Sequence, residues 1–343
     1  MELNERKLMI LQAIVEDYIM TGEPVGSRTI ARKHGLGLSS ATIRNEMSDL
    51  EEMGYLEQPH TSAGRVPSDK GYRFYVDRLM RARTLSKAEI ESIKSRYNQR
   101  LGAVEQIITE TARILADNTN YTSLVLAPRL NCVRIKHVEL VPISGNVALI
   151  VIVTTAGIVK DSFIAVPDGI DDDMLHRISV AISERVNGHM PSELSTDMLN
   201  DLETELMRDR HMFNMILDSI INSLLASQER DLYMEGANNI FNFPEYNDLI
   251  KARAFLDILE DKKVPIELLA TTMNNDVSII IGSENAYKEL QDYSVITATY
   301  RLGDQIIGTI GVLGPKRMEY SHALSTVRFL RNKLSDILTK IGQ

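Results

Sequence analysis

The chain has 343 residues, 44% of them hydrophobic, which is enough for two or three packed domains. Its one cysteine, Cys132, excludes an intrachain disulfide and suits a reducing cytoplasm, while the net charge of −9 is unusual for a nucleic-acid binder. The longest apolar run, "VALIVIV" (147–153), is too short to span a bilayer and no secretory leader opens the sequence, so a cytoplasmic protein without a membrane partner is expected.

The first helix is predicted in "NERKLMILQAIVEDYIMTGEPVGS", where Asn4 is placed as N-cap, Leu8, Leu11, Val15 and Tyr18 share one side, and Gly22 with Pro24 stops the helix. Ser27 is expected to cap a short second helix, "SRTIARKHG", which buries Ile30 and Ala31, exposes Arg28, Arg32 and Lys33, and ends at Gly35. A five-residue link then leads into "SSATIRNEMSDLEEMG" (39–54), so helices two and three stand in a helix-turn-helix relation.

That third helix divides its chemistry. Ile43, Met47 and Leu50 recur at i, i+4 and i+7 and define the buried face. Ala41, Arg44, Asn45 and Ser48 form a stripe nearly opposite. Arginine grips guanine with two hydrogen bonds, asparagine does the same to adenine, and small residues allow close backbone approach. Asp49, Glu51 and Glu52 would be repelled by phosphates, so only the N-terminal half of the helix is expected in a groove. A solvated polar face has the same composition, and the neighbouring segments favour the nucleic-acid reading.

After this helix, "YLEQ" and "RVPS" are short strands flanking the turn-rich "PHTSAG", a β-hairpin that reads as the wing of a winged helix. Ser68 caps "DKGYRFYVDRLM", where Tyr72, Tyr75, Val76 and Leu79 hold one face while Arg73, Arg78, Arg81 and Arg83 stay outside. The expected DNA-facing set is Arg28, Ser39, Ser40, Ala41, Thr42, Arg44, Asn45, Ser48, His60, Arg65 and Arg73, with His60 and Arg65 as phosphate or minor-groove contacts and Arg73 as a contact that serves all sequences alike. The net charge does not oppose this. Residues 1–85 hold 12 Lys and Arg against 12 Asp and Glu, and the later residues 26 against 35, so the excess of acid lies wholly outside the DNA-facing segment.

"GEPVGSRTIA" and "SSATIRNEMSDLEEMGYLEQPHTSAGRVPSDKGYRFYVD", with the chain length, resemble the HrcA family of bacterial heat-inducible transcription repressors. The resemblance implies an α+β protein: an N-terminal winged helix-turn-helix, then a GAF-like antiparallel-sheet domain split by an inserted α+β dimerisation domain. It further implies a homodimer on an inverted-repeat operator in double-stranded DNA upstream of chaperone operons, with activity modulated by the GroE chaperonin and no cofactor. The corresponding spans are 1–85 for the winged helix and linker, 86–131 and 240–343 for the two parts of the GAF-like domain, and 132–239 for the insert.

Beyond residue 85 the pattern is coarser. "SKAEIESIKSRYNQRLGAVEQIITETARILADNTN" reads as one long helix or two broken near Gly102, and "YTSLVLAP" as a strand. "RIKHVELVPI", "NVALIVIVTTAG" and "IVKDSFIAV" read as an antiparallel meander. Helices are expected at 171–187 and 198–235, another near 247–260, then strands at "VSIII", "SVITATYRL" and "QIIGTIGVLG" and a closing helix from Ser321. Within the insert, Phe213, Ile216, Leu217, Ile220 and Leu224 form an apolar stripe that is either buried in its own domain or packed across a dimer axis.

No catalytic constellation is present in the sequence. The seven histidines (34, 60, 137, 176, 189, 211, 322) lack metal-ligand spacing, and there is no nucleophile elbow, Walker loop or dinucleotide fingerprint. "DGIDDD" (168–173) is an acidic helix start, and Cys132 is a small inert residue or a redox sensor. An enzyme is not expected. Two classes remain: a dimeric repressor controlled by folding state and chaperonin, and a one-component repressor switched by a small ligand in the GAF-like domain.

Overall fold

A computed structural model describes residues 3–60, 63–81, 83–98, 104–128, 133–144, 146–194 and 231–341. Three helices open it, α1 (Glu5–Thr21), α2 (Ser27–Lys33) and α3 (Ser40–Glu52). Asn4 caps α1, its side-chain oxygen accepting from the Lys7 N–H at 2.9 Å, and Gly22 closes the helix at φ +69°. The buried face of α1 is wider than its stripe suggested, with Ile10, Leu11, Ala13, Ile14 and Val15 all enclosed, because α3, the hairpin and the helix after it all pack against α1. Gly26, not Ser27, occupies the cap of α2 and makes no side-chain bond.

Strands β1 (Leu56–Glu57) and β2 (Val66–Pro67) pair antiparallel, Leu56 opposite Pro67. Arg65 adds a backbone rung to Val25, and the neighbouring Gly64 allows it: a Cβ there would meet the Val25 carbonyl at 2.5 Å. Helix α4 (Asp69–Phe74) starts at Ser68, whose hydroxyl accepts from the Gly71 N–H at 3.0 Å, and runs on as a π-helical turn over Tyr75–Leu79.

The main domain is an antiparallel five-stranded sheet in the order β7 (Leu232–Glu235), β3 (Thr122–Leu126), β10 (Gln305–Pro315), β9 (Tyr293–Leu302) and β8 (Val277–Ile281). Helices α6 (Val104–Thr119) and α10 (Tyr320–Ile341) cover one face; α8 (Leu249–Asp261) and α9 (Lys263–Thr271) cover the other. Strand alternation divides the apolar residues between them, Val125 packing with the first pair and Leu124 and Leu126 with the second. Both faces are filled, and Tyr293 to Tyr300 are buried without a break. The long helix is two helices, α5 (Lys87–Asn98) and α6.

A second sheet, β4 (Ile135–Ser144), β5 (Val147–Thr154) and β6 (Val159–Ala165), is the expected meander. It packs Ala148, Ile150 and Ile152 against Ile178 and Ile182 of α7 (Asp172–Val186) as a separate core. On its edge strand, the Val138 and Leu140 N–H groups donate to the Ser183 and Ser179 hydroxyls at 3.1 and 2.9 Å.

Residues 232–235, expected to be helical and within the insert, form a strand instead. This strand pairs with β3 and so belongs to the main sheet. Helix α9 had no counterpart in the sequence reading because Pro265 looks like a breaker, but it sits in the first turn, where its missing N–H is not needed. The apolar stripe Phe213, Ile216, Leu217, Ile220 and Leu224, and Cys132, lie outside the described residues.

Candidate nucleic-acid interface

Helix α3 is fixed at its start by Ser39, whose hydroxyl accepts from the Thr42 N–H at 3.1 Å and lies 2.9 Å from the Thr42 hydroxyl. Ile43, Met47 and Leu50 are buried, which turns Ala41, Arg44, Asn45 and Ser48 to solvent. Arg28 on α2, Ser39 at the cap and His60 at the hairpin tip are exposed too, while Ser40 and Thr42 are half-buried in the first turn. Arg28, Arg44 and Asn45 make no hydrogen bond or ion pair with other described residues, so their donors are free for a partner.

The acidic half of α3 is occupied. The Lys7 ammonium donates to Glu46 at 2.6 Å and to Asp49 at 2.7 Å, and its pKa is raised by those bonds, Asp49 first. Arg65 pairs with Glu51, Nε at 2.9 Å and Nη2 at 2.7 Å, joining the base of the hairpin to α3. The acids therefore serve as anchors to α1 and the hairpin, and much of their charge is compensated before any polyanion arrives. Arg65 is thereby engaged by Glu51, with 19% of its side chain exposed.

Arg73 lies elsewhere. Its guanidinium pairs through two nitrogens with the Glu284 carboxylate and donates to the Ile279 carbonyl at 2.6 Å and to Asp77 at 3.3 Å. It faces the main domain, not open solvent, because α4 packs against β8. Helical periodicity identifies a polar face but not what lies opposite it.

This joint has further members that the sequence did not single out. Asp69 accepts from the Ser283 N–H at 2.9 Å and pairs with Lys316 at 2.9 Å. Arg317 donates to the Ile19 carbonyl at 3.1 Å and pairs with Glu245, 3.0 Å through Nη2. The Tyr72 and Tyr320 rings meet at 6.0 Å, and one continuous apolar core runs from α1 through Tyr72 to α10. The exposed stripe of α3 is thus carried on a unit whose other side is bound to the main domain. Among the described residues, no group of three or more His, Cys, Asp or Glu is arranged to hold a metal, and no helix is long and apolar enough to cross a membrane.

The family model described as "HrcA protein C terminal domain" matches residues 105–324. A heat-inducible transcription repressor HrcA from Ruminiclostridium cellulolyticum is 46% identical, covering 99% of both chains. Another from Alkaliphilus metalliredigens is 42% identical, covering 98% of both. The crystal structure of a hypothetical protein, 26% identical, superposes with a TM-score of 0.68 over 99% of this chain and 100% of that one.

Proposed function

The chain belongs to the HrcA family of heat-inducible transcription repressors, regulators and not enzymes, and from that premise we propose that it represses by placing the N-terminal half of α3 in the major groove of operator DNA. The observation that carries this reading is the division of α3: the Arg44 and Asn45 side chains are exposed and unpaired among the described residues, while Glu46, Asp49 and Glu51 are held by Lys7 and Arg65. Arg44 supplies a bidentate donor for guanine and Asn45 a donor and acceptor for adenine. Ala41, Ser48, Ser40 and Thr42 set the close approach; Ser39, Arg28 and the hairpin residues His60 and Arg65 lie beside the flanking backbone. In this reading α1 to α4 with the hairpin are a winged helix-turn-helix, the five-stranded domain is GAF-like, and the β4–β6 meander with α7 is the inserted unit.

One recognition helix reads only a few base pairs, so selectivity within a genome requires two copies, and a two-fold dimer requires an inverted repeat. The half-sites then lie about 10 base pairs apart or a multiple of that. Inserting about 5 base pairs between them rotates one to the far side of the duplex and abolishes tight binding; unchanged affinity would contradict docking by a dimer.

Control follows from folding. A repressor whose folded and inactive states differ by only about 1–2 kcal/mol loses occupancy several-fold when the GroE chaperonin is drawn away by unfolded clients. The filled faces of the five-stranded sheet support this over a small ligand seated in the GAF-like core. Operator binding after a heat pulse, with chaperonin and with a small-molecule extract in separate samples, separates the two. Rescue by chaperonin supports the first, and rescue by the extract alone the second.

A further inference from the structure

Behind the hairpin, where the N-terminal unit meets the main domain, lies a cleft of about 240 Å³. Tyr18, Glu57 and Tyr72 line it from one side of the joint, and Tyr246, Asp292 and Tyr293 from the other. Tyr72 is 2% exposed, yet its hydroxyl has no hydrogen-bond partner among the described residues. A buried phenol left unbonded carries a desolvation penalty that a bound molecule removes.

The charges in the cleft sort into two groups. Lys316 is taken by Asp69, and Arg317 by Glu245, so these four largely cancel. Glu57 on β1, Asp292 just before β9 and Lys251 on α8 are all exposed, and their side chains have no hydrogen bond or ion pair among the described residues. What is left is two unpaired carboxylates, one from each side of the joint, and one unpaired ammonium, with Tyr18, Tyr72, Tyr246 and Tyr293 in the same lining. Carboxylates and tyrosine faces together attract ammonium groups.

We propose that this cleft is a binding site for a small aliphatic diamine, one ammonium paired with Glu57 and the other with Asp292, the methylene chain against the tyrosine rings and the Tyr72 hydroxyl bonded to an ammonium. The ligand bridges the hairpin and the main domain, so it binds the docked joint better than an opened one and shifts the population toward it. By linkage, whatever the docked joint does to operator affinity the diamine does as well. That coupling rests on the repressor reading above; the site itself does not.

The test is calorimetric titration of the full chain, without DNA, with 1,4-diaminobutane, and with butylamine and succinate as comparisons at matched ionic strength. Saturable binding of the diamine is expected, weaker by about tenfold or more for butylamine, which can satisfy only one carboxylate. Glu57→Gln and Asp292→Asn should each weaken the diamine by about tenfold. Tyr72→Phe should weaken it several-fold, and Lys251→Ala should tighten it by removing a competing ammonium. Equal binding of diamine and butylamine, or indifference to Glu57→Gln, overturns the site. A preference for succinate that is lost in Lys251→Ala overturns it in favour of an anion site. Operator affinity with and without diamine, wild type against Glu57→Gln to remove direct effects on DNA, then reads the coupling; an identical response in both proteins overturns the coupling.

Discussion

Cutting the contact between Arg73 and Glu284 tests how the N-terminal unit is held. Two guanidinium nitrogens meet the carboxylate, and a third bond runs to the Ile279 carbonyl at 2.6 Å. The two side chains are 30% and 35% exposed, so solvent screens the ion pair to about 0.2–1 kcal/mol. Arg73→Ala also abandons the carbonyl, a bond from a charged donor that contributes about 1.5–3 kcal/mol, for a total cost of about 2–4 kcal/mol. Glu284→Ala loses the pair and the bond that its carboxylate accepts from the Ile281 N–H at 2.8 Å, again about 2–4 kcal/mol in all. Urea unfolding of the full chain in a double-mutant cycle should show the two losses overlapping by about 0.5–1 kcal/mol at unchanged m-value. Arg73→Ala should also leave the salt dependence of DNA binding intact. Strict additivity, or a fall of about 0.9 in the slope of log affinity against log salt, would refute the placement and return Arg73 to a phosphate contact.

Two further outcomes follow from the same joint. Gly282 has φ +51°, and a Cβ there would lie 2.4 Å from the Asp69 carboxylate, whereas Gly303, at φ +58°, has nothing within 4 Å. Gly282→Ala should therefore cost about 2–4 kcal/mol of stability in urea unfolding and Gly303→Ala about 1–2; equal losses would contradict the close approach. Burial pushes the Asp69 carboxyl up, but the bonds from Lys316 and Ser283 outweigh it and leave the pKa below the ordinary 3.8. The native state then holds that proton more weakly than the unfolded chain, so Asp69 contributes stability that is complete above pH 3.8 and is lost as pH falls through its lowered value. Asp69→Asn should flatten that acid limb of a stability–pH curve, and an unaltered limb would count against the pairing.

What the sequence made visible was local. Ile43, Met47 and Leu50 declare the buried face of α3 through helical period alone, and the apolar run 147–153 marks a strand, although an unbroken run does not say that Ala148, Ile150 and Ile152 are the inward residues. Caps at Asn4 and Ser68 were equally readable, since each bonds a backbone N–H three residues on. Contacts between distant segments were hidden. Lys7 reaches Glu46 and Asp49 across about 40 residues and Arg73 reaches Glu284 across 211, and no period relates such pairs. Strand β7 was missed because four residues beside a long helical pattern carry too little alternation to stand out, and its identity comes from pairing with β3. The exposed stripe of α3 was legible; that its acidic half is already bonded to α1 and the hairpin was not.

Whether α3 reads DNA through Arg44 and Asn45 is tested most directly by selecting bound sites from random duplex DNA, at fixed salt, with wild type, Arg44→Ala and Asn45→Ala. Both side chains are exposed and unpaired among the described residues, so the variants should fold as wild type does. The wild type should yield an inverted repeat, and each variant should lose discrimination at particular base positions within each half-site, about 1–3 kcal/mol per contact. Recovery of the same consensus by all three proteins would contradict the placement of α3 in the groove.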